Sequence, residues 1–227
     1  LGAKQENDWN KVISIKYERE DFTQGFAEQQ QSELLVPGFS LNRVRKNDDI
    51  FVTNGDRQLA TIEGASDALL SDINLAKITL STKWIRTFDK HRWIARADVG
   101  ALTSSDFESV PSSLRFFAGG DQSIRGFGLD ELGQTRLNEN GKLELIGGRY
   151  LNVASIEYAY SVSDKWRAAI FADAGGANAK FADEIAKGFG AGVHWLSPVG
   201  TIRLYLARGI SGTERNWRVH FSIGPGL

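Results

Sequence analysis

"TIRLYLARG" runs from Thr201 to Gly209, and its residues alternate strictly. Ile202, Leu204 and Leu206 fall on one side. Thr201, Arg203, Tyr205 and Ala207 fall on the other. A period of two is the mark of a β-strand with one apolar and one polar face, because successive side chains leave a pleated backbone in opposite directions. "WRVHFSIG" repeats the pattern, with Trp217, Val219, Phe221 and Ile223 opposite Arg218, His220 and Ser222. In "LAKITLSTKW", Ala76, Ile78, Leu80 and Trp84 oppose Lys77, Thr79, Ser81 and Lys83.

Extending the pattern along the chain predicts about ten strands, at roughly 9–21, 33–45, 57–69, 75–88, 92–103, 149–161, 166–175, 188–197, 201–209 and 216–225. "ADEIAKG" at 182–188 is at most one helical turn. The fold class is therefore all-β and antiparallel. The connections alternate in length. "SVSDKW", "LSPVGT" and "TFDKHR" are tight turns, whereas "GGANAKFADEIAKG", "RGISGTERNW" and "FTQGFAEQQQSE" are longer and polar. "KNDDIFVTNGD" (46–56) breaks the rule as a long connection on the short-turn side. Short turns at one end and long loops at the other are the pattern of a transmembrane β-barrel, and ~10–13-residue strands are long enough to cross a bilayer at a tilt.

Alternation does not say which face is inside. A soluble barrel or sandwich would turn the apolar face inward, but its strands average about 5–6 residues. The polar faces here carry Lys77, Lys83, Arg96, Asp98, Glu157, Arg167, Asp173, Arg203 and Arg218, which suits a wet lumen. Trp84, Trp93, Trp166, Trp195 and Trp217 sit near strand ends, where aromatic girdles belong, and Trp9 fits too.

Composition narrows the function. The 27 basic and 28 acidic residues argue against nucleic acid as the main partner. The chain has no Cys, so it offers neither a disulfide framework nor a thiolate metal site. No apolar run reaches the ~20 residues of a transmembrane helix. The absence of Met and the start at Leu1 suggest a processed product or fragment. His91, His194 and His220 lie apart, without HxxxH or HExxH spacing, and no G-x-S-x-G elbow is present. Catalytic residues, metal and cofactor are therefore not expected, and His194 and His220 read as polar lumen residues.

One segment stands outside the strand pattern. "RFFAGGDQSIRGFGLDELGQ" (115–134) is glycine-rich with a single arginine, Arg125, between Ile124 and Gly126. It lacks the lysine of a phosphate loop and opens no helix. Folded back inside a barrel, Arg125 would meet the inward positions Glu157 and Asp173, with Phe171 two residues before Asp173 on the same face. A guanidinium fork suits such carboxylates. Gly126 would allow a tight tip, and Phe127 would pack on the wall.

"LRFFAGGDQSIRGF" resembles the signature of the outer-membrane assembly and two-partner-secretion superfamily, whose sixth extracellular loop carries a V/I-R-G-F/Y tip. With Val110 and Pro111 just before it, the stretch is especially similar to the TamA family, the outer-membrane subunit of the translocation and assembly module. "ASIEYAYSVSDKWRAAIFADAG", "GFGAGVHWLSPVGTIRLYLA" and "HFSIGPGL" resemble the strands that follow in that family. The resemblance implies the C-terminal portion (1–227) of a sixteen-stranded transmembrane β-barrel, with an inward-folded loop at about 104–148. The first six strands and the periplasmic POTRA domains would lie outside this chain. It further implies a bacterial outer-membrane location and a role in assembling autotransporter-type client proteins, with the lipid bilayer and an inner-membrane TamB-like protein as partners. Ile124, Arg125, Gly126, Phe127, Glu157, Phe171 and Asp173 would form a loop lock. Trp217, Val219, Phe221, Ile223 and Gly224 would belong to a seam strand, loosened near its end by glycine and Pro225. BamA-type insertases and FhaC-type secretion pores are close alternatives, and a passive porin is a further one.

Overall fold

A computed structural model describes residues 2–4, 9–22, 30–137, 141–198, 200–211, 214–224 and 226–227. Among these residues the strands are β1 (Gly2–Lys4), β2 (Trp9–Phe22), β3 (Gln30–Lys46), β4 (Gly55–Ala65), β5 (Leu75–Phe88), β6 (His91–Ser104), β7 (Thr135–Leu137), β8 (Leu143–Leu145), β9 (Tyr150–Ser161), β10 (Trp166–Asn178), β11 (Ala186–Ser197), β12 (Gly200–Ser211) and β13 (Glu214–Gly224). Eleven of them form one antiparallel sheet in the order β1-β2-β3-β4-β5-β6-β9-β10-β11-β12-β13. β7 and β8 pair separately. The count exceeds the expected ten because three-residue β1 pairs with β2. No α-helix occurs among the described residues, and 182–188 instead leads into β11.

The strand expected to reach residue 69 stops at Ala65. A turn follows, in which the Leu69 N–H donates to the Ser66 carbonyl at 2.8 Å and Leu70 takes a positive φ. The 47–54 connection is organised by Asn47. Its Oδ1 accepts from the N–H groups of Thr53 and Asn54, so this long turn still closes as a hairpin.

The two faces of the sheet are inverted relative to a water-soluble protein. Ile13, Ile15, Ile62, Ile170, Leu204, Leu206, Val219 and Phe221 stand exposed on the outer face. Arg92, Glu157, Asp173, His194 and His220 are buried on the inner one. The charged inner residues Lys83, Arg92, Arg167 and Arg203 lie toward the short turns.

The loop half of the interior holds an apolar core, which the alternation of charged residues does not anticipate. The 105–149 segment brings its own apolar side chains inward. Phe107, Val110, Leu114, Phe116, Ile124, Phe127 and Ile146 pack with Leu34, Val36, Leu102 and Val153 of the sheet. Phe116 sits where β6 has Gly100, whose missing Cβ would lie 2.4 Å from the ring. Ser112 donates to Glu20 of β2 at 2.6 Å, and Gly126 donates to His220 of β13 at 2.8 Å. One segment thus touches strands near both ends of the sheet, so the sheet curls around it.

The inward loop and its carboxylate clamp

The segment between β6 and β9 is braced before it reaches its tip. Arg115 donates to the carbonyls of Val110, Ile146 and Glu108 at 2.8, 2.9 and 3.1 Å, closing the base of the loop. Antiparallel bridges at Phe116–Gly148 and Ala118–Leu132 then fold the chain back on itself. Gly119, Gly120 and Gly126 all take positive φ, which non-glycine residues adopt only under strain.

At the tip, Arg125 enters a pocket of facing side chains. Its Nε donates to Asp173 Oδ2 at 2.8 Å and its Nη2 to Oδ1 at 2.9 Å, a bidentate fork. Its own backbone N–H adds a third bond to Oδ2 at 2.9 Å. Nη1 donates to Glu157 Oε2. Ser155 links the set, accepting from Nη2 at 3.3 Å and donating to Asp173 Oδ1 at 2.6 Å. The guanidinium carbon lies 3.5 Å from the centroid of the Phe171 ring and 4.8 Å from that of Tyr205. Burial works to lower the Arg125 pKa. The Asp173 hydrogen bonds and the charges of Asp173 and Glu157 outweigh it and hold the group above its ordinary range.

Glu157 has further partners. Tyr205 OH donates to its Oε2 at 2.9 Å. With that proton committed, the tyrosine oxygen accepts from His194 Nε2 at 2.8 Å. His194 Nε2 also stands 3.2 Å from Glu157 Oε1. Arg125 thus sits between two carboxylates, and Tyr205 and His194 extend the hydrogen-bonded chain from Glu157.

The wall is shaped to receive backbone. Gly188 of β11 and Gly209 of β12 are direct cross-strand partners. A Cβ on Gly188 would lie 1.9 Å from the Arg125 carbonyl oxygen, and one on Gly209 would lie 2.7 Å from that of Gly126. A Cβ on Gly126 would lie 2.4 Å from the Gly209 nitrogen. Three glycines therefore let the loop tip lie directly against the strands.

Ile124, Arg125, Gly126, Phe127, Glu157, Phe171 and Asp173 all converge here, and all are buried. Tyr205, Ser155, Gly188 and Gly209 join them without being singled out by sequence, as do His194 and His220, which were expected only as polar lumen residues. Their inward parity was legible, but their partnership with Arg125 depends on how far the loop reaches. Trp217, Val219, Phe221 and Ile223 lie apart from the clamp, exposed on the outer face of β13, and Gly224 ends that strand with φ 144°. Pro225 lies outside the described residues. Trp84, Trp93, Trp166 and Trp195 lie on the outer face toward the short turns, whereas Trp217 is near the loop end.

Comparison with known proteins gives a consistent likeness. The Omp85 superfamily domain matches residues 4–225. Outer membrane protein assembly factor BamA of Nitratidesulfovibrio vulgaris is 30% identical over 136 residues, which is 55% of this chain and 17% of that protein. The crystal structure of BamA from Haemophilus ducreyi lacking POTRA domains 1–3 superposes with a TM-score of 0.80 at 18% identity. That superposition covers 99% of this chain and 52% of the other, and at this identity it speaks to fold alone.

Proposed function

The chain belongs to the Omp85 superfamily, and from that premise we propose that it forms part of a transmembrane barrel that assembles other proteins in the bacterial outer membrane. The chain is an outer-membrane protein of the BamA-related kind. The proposed partners are client outer-membrane proteins and the lipid bilayer. The work needs neither cofactor nor covalent chemistry. An edge strand offers its backbone N–H and C=O groups to an incoming strand, a form of β-augmentation.

The observation that carries this reading is the bond from the Gly126 N–H to His220 Nε2 on β13. The same loop tip that clamps Asp173 of β10 thereby also fastens the last strand of the sheet. Release or engagement of the clamp would set how freely β13 pairs with a neighbour. Within the superfamily, the TamA-like reading, with autotransporter-type clients and an inner-membrane TamB-like partner, is supported by "VPSSLRFFAGGD" and "SIGPGL". A BamA-type reading is favoured by the Nitratidesulfovibrio vulgaris relative named above.

Arg125→Ala in the full-length protein tests the role. It leaves Asp173 and Glu157 buried without their cation, a loss of about 3–5 kcal/mol. Assembly of a client barrel in proteoliposomes, read as protease-resistant product, should fall several-fold. Undiminished assembly with the loop demonstrably released would refute the clamp's role. A passive porin would instead show steady conductance indifferent to the substitution. Autotransporter clients failing while other barrels assemble would select the TamA-like reading.

A further inference from the structure

On the outer face, toward the short turns, three arginines converge on one carboxylate. Asp56 lies near the start of β4 and is buried even though it shares the outward face with Ile62. Arg45 of β3 donates from Nε to both Asp56 oxygens at 3.1 and 3.3 Å, and from Nη2 to Oδ1 at 2.8 Å. Arg43, two residues earlier on the same face, brings Nη2 to 3.7 Å from Oδ2. Arg86 of β5 brings Nη2 to 3.9 Å from Oδ1. Asp49, in the adjoining turn, is engaged by Lys46 at 2.9 Å. Three guanidinium groups against one carboxylate leave a local excess of positive charge.

The cluster is held in aromatic surroundings. The Arg43 guanidinium lies 4.6 Å over the Trp9 ring and that of Arg86 lies 5.1 Å over Trp84. Stacking keeps the planar forks oriented. Arg86 is further held by its Nη1, which donates to the carbonyls of Gly55 and Ile85 at 2.7 Å each. The Arg43 Nε is buried and makes no hydrogen bond. The side chains of Arg45 and Arg86 are 48% and 39% exposed. Trp84 and Trp93 put this patch at the level where amphipathic rings meet lipid headgroups. Arginines at that level need not enter the hydrocarbon.

We propose that Arg43, Arg45 and Arg86, assembled on Asp56, bind the phosphate of an anionic phospholipid headgroup at the short-turn level of the outer face. Asp56 offsets the repulsion among the cations and orients them. The half-exposed guanidinium groups of Arg45 and Arg86 face outward, where phosphate oxygens can accept from them, the kind of anion guanidinium recognises. The inference rests on the reading that this face meets lipid.

The test uses the protein in nanodiscs of phosphatidylcholine, with or without a minority of phosphatidylglycerol, and native mass spectrometry of retained lipid. The parent should retain phosphatidylglycerol preferentially. Arg43→Gln/Arg86→Gln, which keeps the Arg45–Asp56 pair, should lower that preference about ten-fold or more, as expected for two charges near an anionic surface. Arg43→Gln alone serves if the double variant fails to insert, and should lower it several-fold. Arg57→Gln/Arg167→Gln removes the same charge elsewhere and should leave it unchanged. An equal fall in both double variants would reduce the effect to net charge and overturn the site. Inorganic phosphate that abolishes the parent's preferential retention of phosphatidylglycerol would assign the site to a soluble anion and overturn the lipid assignment. A parent that fails to insert in either nanodisc refutes the outer-face reading. A parent that inserts but retains both lipids equally refutes this site alone.

Discussion

Arg125 shows how a buried cation can be stable. Its desolvation is opposed by a fork on Asp173, a bond to Glu157 and the faces of two aromatic rings. Such a group is favourable only while every partner stays in place. That makes the surrounding glycines as important as the charges. Gly188→Ala places a methyl 1.9 Å from the Arg125 carbonyl oxygen, where neither backbone can yield easily. It should cost about 1–3 kcal/mol as overpacking. Limited proteolysis should find the 105–149 segment cleaved faster in this variant. Parental resistance would mean that the wall yields without releasing the tip. Arg125, Glu157 and Asp173 could be named from their parity and the glycine-rich tip. Gly188 and Gly209 could not. A strand glycine carries no sign of what will approach it, and the approaching backbone comes from a segment more than sixty residues away.

Among the elements, β13 is the most exposed to change. It is paired on one side only among the described residues, and Trp217, Val219, Phe221 and Ile223 stand outward along it. Gly224 takes φ 144°, and a Cβ there would meet nothing within 4 Å, so its glycine serves backbone direction rather than packing. Past it, the chain returns to the inner side of β4–β6. A Cβ on Gly226 would lie 2.9 Å from Ile85 Cδ1 and 3.8 Å from Val52 Cβ, and Leu227 Cδ1 reaches Gly55. A Cβ separation of about 3.8 Å suits a disulfide. Val52→Cys/Gly226→Cys should therefore cross-link on oxidation, with no native cysteine to compete. Adding Gly224→Ala should lower the yield by redirecting the last residues. An unchanged yield would show that the inward course does not depend on that glycine. Strand positions such as these were readable from alternation to within a few residues. The early stop of β4 was not, because the 66–70 turn is set by local hydrogen bonding and a left-handed Leu70 rather than by hydrophobic period.

For the molecule as a whole, the decisive property is which face turns outward. The exposed apolar side chains extend from Ile13 and Ile15 on β2 to Val219 and Phe221 on β13, far more than scattered surface residues would supply. The tryptophans give a direct readout. Trp84, Trp93, Trp166 and Trp195 are outward, and Trp166 stacks with Trp195 at 6.1 Å between centroids. In liposomes made with brominated acyl chains, the folded protein should lose much of its tryptophan fluorescence, and urea-unfolded protein should not. An unquenched folded protein would refute lipid contact at this face. Alternation alone specifies the strands, their antiparallel pairing and the division of each into two faces, because a pleated backbone alternates its side chains whatever surrounds it. Arg125 also stands out in the sequence, as an arginine between Ile124 and Gly126 in a glycine-rich segment off the strand pattern. Contacts across the fold settle that the apolar face is the outer one, that the loop packs an apolar core into one half of the interior, and that Arg125 reaches Asp173, Glu157 and the wall strands together. Those outcomes depend on sheet curvature and on contacts between residues far apart in the chain, which no local period encodes.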